Sequence, residues 1–381
     1  MKNQIEKGTT QMFMRVTVIG LVLVTCLLGL HAGFGKTTFD LESRIAFAST
    51  RRNPECILPE VFLMSFPDVT NLQRLTDNDG CTHGDGLAAL SPDGKKIIFD
   101  SNRNRAEGEP INTSDLFVMN TDGTEQIFVV RGSSATWSPN SKLIAFHASA
   151  SGLACPVSVA PPNPVPGCPS RNDPGPPTWD SDIFVANLDD LLNHTATPTN
   201  LTNNPVMIDD DASWSPPLLE SGQLVEKIVF TSHPVTDNPL QSNQAEIYVI
   251  NTDGTGLMRL TFNTEEERGP SWSPDGTQIV YACRKGDPQS PPPAPQIKTF
   301  EICVMNADGN NQVRLTNNTV QDLTPTFSPD GEKIVFHRGS MSVPQQIWIM
   351  NADGTGQTQM TFPPGINNIA NWGLLRVHLP Q

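Results

Sequence analysis

Positive charge is scarce in this sequence: 25 Lys and Arg stand against 40 Asp and Glu, a formal net charge of −15. Such a chain repels phosphate backbones, which excludes nucleic acid as a partner. Long apolar runs are missing apart from Val16 to Leu30 near the N-terminus. No helical hydrophobic period is sustained, and no second domain shows itself. Gly-x-Ser-x-Gly, His-x-His and His-Glu-x-x-His are all absent, and with them the usual hydrolase and metalloprotease signatures. No Cys-x-x-Cys occurs either, which counts against zinc.

What is present is repetition. A pattern close to Trp-Ser-Pro-Asp-Gly-x-x-Ile-x-Phe, then Asp-Ile-Tyr-Val-Met-Asn-x-Asp-Gly, then Leu-Thr, recurs along most of the chain. A period of roughly forty to fifty residues marks a propeller or a solenoid. Each unit holds four short apolar stretches separated by turn signals, which predicts an all-β fold: a six-bladed β-propeller of four-stranded antiparallel blades over residues 40–381. Second strands are expected at Ile45-Ala46-Phe47, Ile98-Phe99, Ile144-Ala145-Phe146, Ile228-Val229-Phe230, Ile279-Val280-Tyr281 and Ile334-Val335-Phe336. First strands end at Leu90, Trp137, Trp214, Trp272 and Phe327, but nothing equivalent precedes Ile45. A lone further copy, Ile369-Ala370-Asn371-Trp372-Gly373, stands near the C-terminus, so the last strand is expected to complete the first blade and close the ring. Ser-Pro-Asp-Gly and Asn-x-Asp-Gly read as tight turns rather than as metal or phosphate loops.

The ends and the cysteines speak for export. Lys2, Lys7 and Arg15, the apolar run and the small residues around Ala32 to Gly35 describe an export signal over residues 1–35, or an uncleaved N-terminal anchor. The expected location is periplasmic or extracellular, with no membrane span in the mature form. Leaving Cys26 aside, the six remaining cysteines are Cys56, Cys81, Cys155, Cys168, Cys283 and Cys303, an even number that favours disulfides. Cys283 and Cys303 fall in adjacent strands, Cys155 and Cys168 bracket a Pro-rich insertion, and Cys56 and Cys81 are left for each other.

Two features point to one rim of the disc. The longest insertions, Ala148–Asp182 and Arg284–Thr299, both lie between second and third strands. The opposite rim is expected to carry tight turns alone. Five residues before the end of each first strand stand Asp85, Gly132, Asp209, Glu267, Asp322 and Asn367, with Asp210, Asp211, Glu265 and Glu266 beside them. Their shared place in the repeat predicts a ring at one mouth of the channel. Such a ring either concentrates a cation or a partner's Lys or Arg, or staples neighbouring blades through hydrogen bonds.

The best copies, Pro270–Tyr281 with Glu301–Thr316 and Pro325–Phe336 with Gln346–Thr361, resemble the WD40-like β-propeller repeat of the TolB family. The resemblance runs from Arg44 to Trp372. It implies a non-enzymatic, exported, protein-binding propeller, and the chain is accordingly expected to be a monomer without cofactor that binds a protein or peptide partner in the cell envelope. In that family the channel mouth receives a lipoprotein. Too few residues separate the signal from Arg44 for the family's N-terminal α/β domain, which is therefore expected to be absent. The repeat also resembles the propeller of prolyl oligopeptidases, without their hydrolase domain. The alternative function is a polysaccharide lyase or hydrolase holding a divalent cation at the channel mouth. Its candidate residues are His83 with Asp85, and more remotely His147, His233 and His337.

Overall fold

The computed structural model describes residues 39–51, 58–67, 71–78, 80–104, 114–149, 181–235, 244–263, 265–285, 299–340 and 343–378. Blade 1 contains β1 (Phe39–Ser49), β2 (Glu60–Ser65) and β3 (Gln73–Arg74); blade 2 contains β4 (Asp85–Leu90), β5 (Lys96–Ser101), β6 (Asp115–Asn120) and β7 (Ile127–Arg131). Blade 3 is β8 (Ser133–Trp137), β9 (Leu143–Ala148), β10 (Asp182–Asn187) and β11 (Thr199–Asn200). Blade 4 is β12 (Met207–Trp214), β15 (Lys227–Pro234), β16 (Glu246–Asn251) and β17 (Met258–Arg259), with a small ribbon, β13 (Leu218–Glu220) and β14 (Gln223–Val225), inserted after β12. Blade 5 is β18 (Glu267–Trp272), β19 (Gln278–Lys285), β20 (Thr299–Asn306) and β21 (Val313–Arg314); blade 6 is β22 (Gln321–Phe327), β23 (Lys333–Gly339), β24 (Gln346–Asn351) and β25 (Thr358–Gln359). Finally β26 (Asn367–His378) adds to β1, giving the order β26-β1-β2-β3 and six four-stranded antiparallel sheets.

That closure has the expected register. Ile45 pairs with Trp372 and Ala46 with Asn371. The Trp372 ring meets Phe66 edge-on at 4.6 Å, and its indole N–H donates to Ser43 Oγ at 2.5 Å. The chain thereby leaves no innermost strand unpaired in blade 1.

The core lies between blades. The second-strand aromatics Phe47, Phe99, Phe146, Phe230, Tyr281 and Phe336 are all fully buried. One cluster joins Ala46, Val61, Leu63 and Leu75 of blade 1 to Leu90, Ile97, Phe99 and Phe117 of blade 2. Another joins Val229, Ile247 and Leu260 of blade 4 to Trp272, Ile279 and Tyr281 of blade 5. Each blade is too thin to bury its own faces, so the apolar alternation is satisfied only when neighbours stack.

The Leu-Thr signature has a structural reason. Outermost strands of five blades are two residues long, ending just before it. The threonine hydroxyl then accepts a third-strand N–H that the short ladder leaves over: Val61 to Thr76 (3.0 Å), Ile183 to Thr202 (3.1 Å), Ile247 to Thr261 (2.9 Å), Ile302 to Thr316 (2.9 Å) and Ile347 to Thr361 (2.9 Å). The Ser-Pro-Asp-Gly segments are tight turns, as in Gly94 N–H to Ser91 O at 2.8 Å with Gly94 at φ 68°.

Two local expectations need correction. The rim opposite the long insertions does not carry tight turns alone, because blade 4 replaces its first turn with the β13–β14 ribbon. Leu218-Leu219-Glu220 alternates into a Ser221-Gly222 turn with both residues at positive φ, a favoured two-residue hairpin link. Blade 3 replaces its Asn-x-Asp-Gly turn with a short helix, α1 (Leu188–Leu192). Asn187 caps it by accepting from the N–H groups of Asp189 and Asp190, and Leu188 and Leu191 bury one side.

Cys283 and Cys303 form a disulfide across β19 and β20, with Cα atoms 5.8 Å apart. Cys81 is disulfide-bonded too. Its expected partner Cys56, the pair Cys155 and Cys168, and the whole 1–35 segment lie outside the described residues. Among the described residues no helix is long and apolar enough to cross a membrane.

Candidate binding site: blade junctions and the central channel

Asp85, Asp209, Glu267, Asp322 and Asn367 take equivalent places at or near the start of innermost strands, and all five are buried. Each is engaged inside the protein. Asp85 accepts from Arg103 Nη2 at 3.0 Å, and Asp322 takes a two-pronged contact from Arg338 at 2.7 and 2.8 Å. Asp209 accepts from Ser232 Oγ at 2.5 Å, and Glu267 from Asn263 Nδ2 at 2.7 Å. The amide oxygen of Asn367 accepts from Ser49 Oγ at 2.6 Å and Arg51 Nη2 at 2.8 Å. The guanidinium groups of Arg103 and Arg338 lie over Phe117 and Trp348, each at 4.6 Å, so the cation that holds the acid is itself braced by an aromatic.

A second row of acids meets the first. Glu60, Asp115, Asp182, Glu246 and Glu301, with Gln346 in blade 6, open or adjoin the third strands and are also buried. Asn318 Nδ2 bridges Glu301 (3.1 Å) to Asp322 (2.8 Å). At the last junction the amide of Asn367 donates to Gln346 Oε1 at 2.9 Å, a neutral version of the same contact. Sequence reasoning passed over this second row, although an acid precedes the apolar third-strand run in five of the six copies.

The junctions differ in charge. Glu60 with Asp85 is matched by Arg74 and Arg103, and Glu301 with Asp322 by Arg314 and Arg338. Glu246 has Arg259, but Glu267 is held by neutral Asn263; burial pushes its carboxyl up to about 8. Burial raises Asp209 to about 6, although the hydrogen bond from Ser232 pulls the other way.

The channel wall itself is built by another device. In every innermost strand the pairing slips by a β-bulge, and one residue takes a left-handed conformation: Leu87 (φ 47°), Ser134 (54°), Asp211 (53°), Gly269 (57°), Thr324 (49°) and Ile369 (51°). Only glycine adopts this freely; the branched Thr324 and Ile369 are true outliers. The second strand of the preceding blade helps hold the bulge. Asp100 Oδ1 accepts the Ser134 N–H (3.2 Å), Thr231 Oγ1 that of Gly269 (3.2 Å), and His337 Nδ1 that of Ile369 (3.4 Å).

These six residues and their neighbours line an open central cavity of about 130 Å³. Its wall is Ala, Ser, Thr, Pro, Gly, Leu, Ile and Asn, with one charged side chain, Asp211. Asp211 makes no hydrogen bond or ion pair among the described residues. The carboxylate that meets the channel is thus Asp211, two places beyond the buried Asp209. No residue type recurs at this position, so the repeat gave no signal for it.

The candidate histidines are spread out. His83 Nε2 stands 3.6 Å from Asp85, and its Nδ1 is 2.9 Å from Thr82 Oγ1. His337 is buried, which pulls its imidazole down to about 4, and it bonds Thr324 Oγ1 at 2.7 Å. Burial also lowers His147 and His233. Among the described residues no three His, Cys, Asp or Glu side chains gather into a metal cage.

The architecture is that of the TolB-like six-bladed β-propellers. TolB from Acinetobacter baumannii superposes with a TM-score of 0.59 at 17% identity, over 87% of this chain and 66% of that one. The putative TolB from Agrobacterium tumefaciens gives 0.51 at 17% identity, over 90% of this chain and 100% of that one. In sequence, a TolB homolog from Chlorobium luteolum is 29% identical over 163 residues, 35% of each chain. The matches span roughly a third of the curated relatives' length. No family model matches the chain.

Proposed function

We propose that this chain is an exported, non-enzymatic propeller that captures a protein or peptide of the cell envelope over the rim where second strands pass to third strands, around the mouth of the channel. The observation that carries this reading is the open carboxylate of Asp211 in the channel wall, while the acids of the predicted ring are buried and internally bonded. Exposed aromatics support the choice of rim. Phe262 and Phe362, 74% and 63% exposed, sit in the links between blades that emerge there. Large exposed aromatics are strong anchors at protein interfaces. The Cys283–Cys303 disulfide fits an oxidising compartment, which supports export.

The test is cross-linked capture from native envelope extracts with Phe262→Ser plus Phe362→Ser. Capture should fall about tenfold or more, the scale of losing an interface anchor. Leu219→Ser plus Leu224→Ser, in the ribbon of the opposite rim, should leave it unchanged. Equal capture by the phenylalanine variant and wild type would rule the rim out.

A further inference from the structure

The channel ring has two unlike halves. Taken from blade 1 to blade 6, its left-handed positions read Ile369, Leu87, Ser134, Asp211, Gly269 and Thr324. In a six-membered ring blade 4 lies across from blade 1, so Asp211 faces Ile369 with Leu87 next to it. Ser134 flanks the carboxylate on one side, and on the other Gly269 presents no side chain.

Among the described residues Asp211 has no ion pair. Arg268, the cation whose charge acts on Asp210 and Asp211, is bound by Glu266 at 2.5 Å. His147, which faces the same carboxylate from blade 3, is kept toward its neutral form by burial. Asp210 is raised well above its ordinary value, first by burial and then by Asp211. An anion set in the wall of a channel focuses its field along it.

The cavity also selects by shape. Its volume of about 130 Å³ leaves room for a slender side chain. A single carboxylate lacks the several oxygens a hard divalent cation requires. A four-carbon stem ending in a compact ammonium matches a charged pole, hydroxyls beside it and an aliphatic pair opposite.

We propose that Asp211 receives a primary alkylammonium group, the side chain of a lysine presented by the captured partner, whose methylenes lie along Leu87 and Ile369. This rests on the protein-binding reading above and names the chemistry at its centre. Ser134 Oγ and Asp211 accept the ammonium protons, and no covalent step is involved.

The experiment uses the full propeller with isotope-labelled Ile and Leu methyls, reading Leu87 and Ile369 by NMR. N-acetyl-lysine methylamide should give saturable shifts at both, and its uncharged analogue N-acetyl-norleucine methylamide should bind at least about tenfold more weakly, the usual worth of a charge-assisted contact. Asp211→Asn should produce the same loss while keeping the bulge, since Asn tolerates a left-handed backbone; its thermal midpoint checks the fold. Absence of saturable shifts, equal binding of the two probes, or lysine binding undiminished in Asp211→Asn would each overturn the inference. Lysine binding intact with no rim-dependent capture would sink the functional reading alone. Rim-dependent capture without lysine binding would sink this inference alone.

Discussion

Thr316→Val isolates one unit of the device that binds outer strands to the blades. The hydroxyl of Thr316 accepts the N–H of Ile302 at 2.9 Å and donates to Glu301 Oε2 at 2.7 Å, and both side chains are buried. Valine keeps the shape and removes both bonds. An orphaned buried N–H costs about 1–3 kcal/mol, and a hydrogen bond to a charged group contributes about 1.5–3 kcal/mol. The added methyl returns about 0.8 kcal/mol. Because Glu301 keeps contacts from Arg314 and Asn318, the two losses overlap, and the net destabilisation should be about 2–4 kcal/mol. Urea unfolding read by tryptophan fluorescence measures it, with the slope unchanged. Combining the change with Glu301→Gln should cost less than the sum of the two singles. A Thr316→Val loss below about 0.5 kcal/mol, the range of ordinary surface changes, would refute the reasoning.

Removing the ring-closing tryptophan should be costlier. Trp372→Ala deletes the contact with Phe66 and the bond to Ser43, and should cost about 3–5 kcal/mol in the same assay. Stability should also decline as pH rises above neutrality. Asp100 and Glu267 have folded values near 8, raised first by burial, so the folded chain holds protons there that the unfolded chain has released. Their contribution is complete below the ordinary carboxylate range and fades as pH climbs toward 8, by up to about 1.4 kcal/mol per pH unit for each group. The lowered histidines His147, His233 and His337 act oppositely, but only below their ordinary value of 6.5, so they do not obscure the window above it. Thermal midpoints between pH 6.5 and 8.5 check this, and Asp100→Asn with Glu267→Gln should flatten the curve.

Much of the architecture was written in local chemistry. The Ser-Pro-Asp-Gly turns, the second-strand aromatics and the displaced Ile369–Trp372 segment each need only neighbours in sequence to be recognised. The same holds for Cys283 and Cys303, which one hairpin brings together. The places of Asp85, Asp209, Glu267 and Asp322 were legible for that reason, but their bonding was not. Arg103, Ser232 and Arg338 approach from positions 16 to 23 residues away, and register decides which of them meets an acid. The channel wall was harder still. Its bulges are a backbone property shared by Leu87, Ser134, Asp211, Gly269, Thr324 and Ile369, six different residue types with no composition in common. The β13–β14 ribbon was hidden by the two prolines after Ser215, which imitate the usual turn.

Asp211 is the working carboxylate of the proposed site, whereas Asp85, Asp209 and Asp322 are buried and bound by partners of their own blades. The most direct measurement compares Asp211→Asn with Asp322→Asn for unfolding free energy and cross-linked partner capture. Asp211→Asn should unfold within about 0.5 kcal/mol of wild type and lose capture, whereas Asp322→Asn, which strips Arg338 of its buried partner, should lose stability by about 2 kcal/mol or more. Capture undiminished in Asp211→Asn, or Asp322→Asn as stable as wild type, would contradict the account.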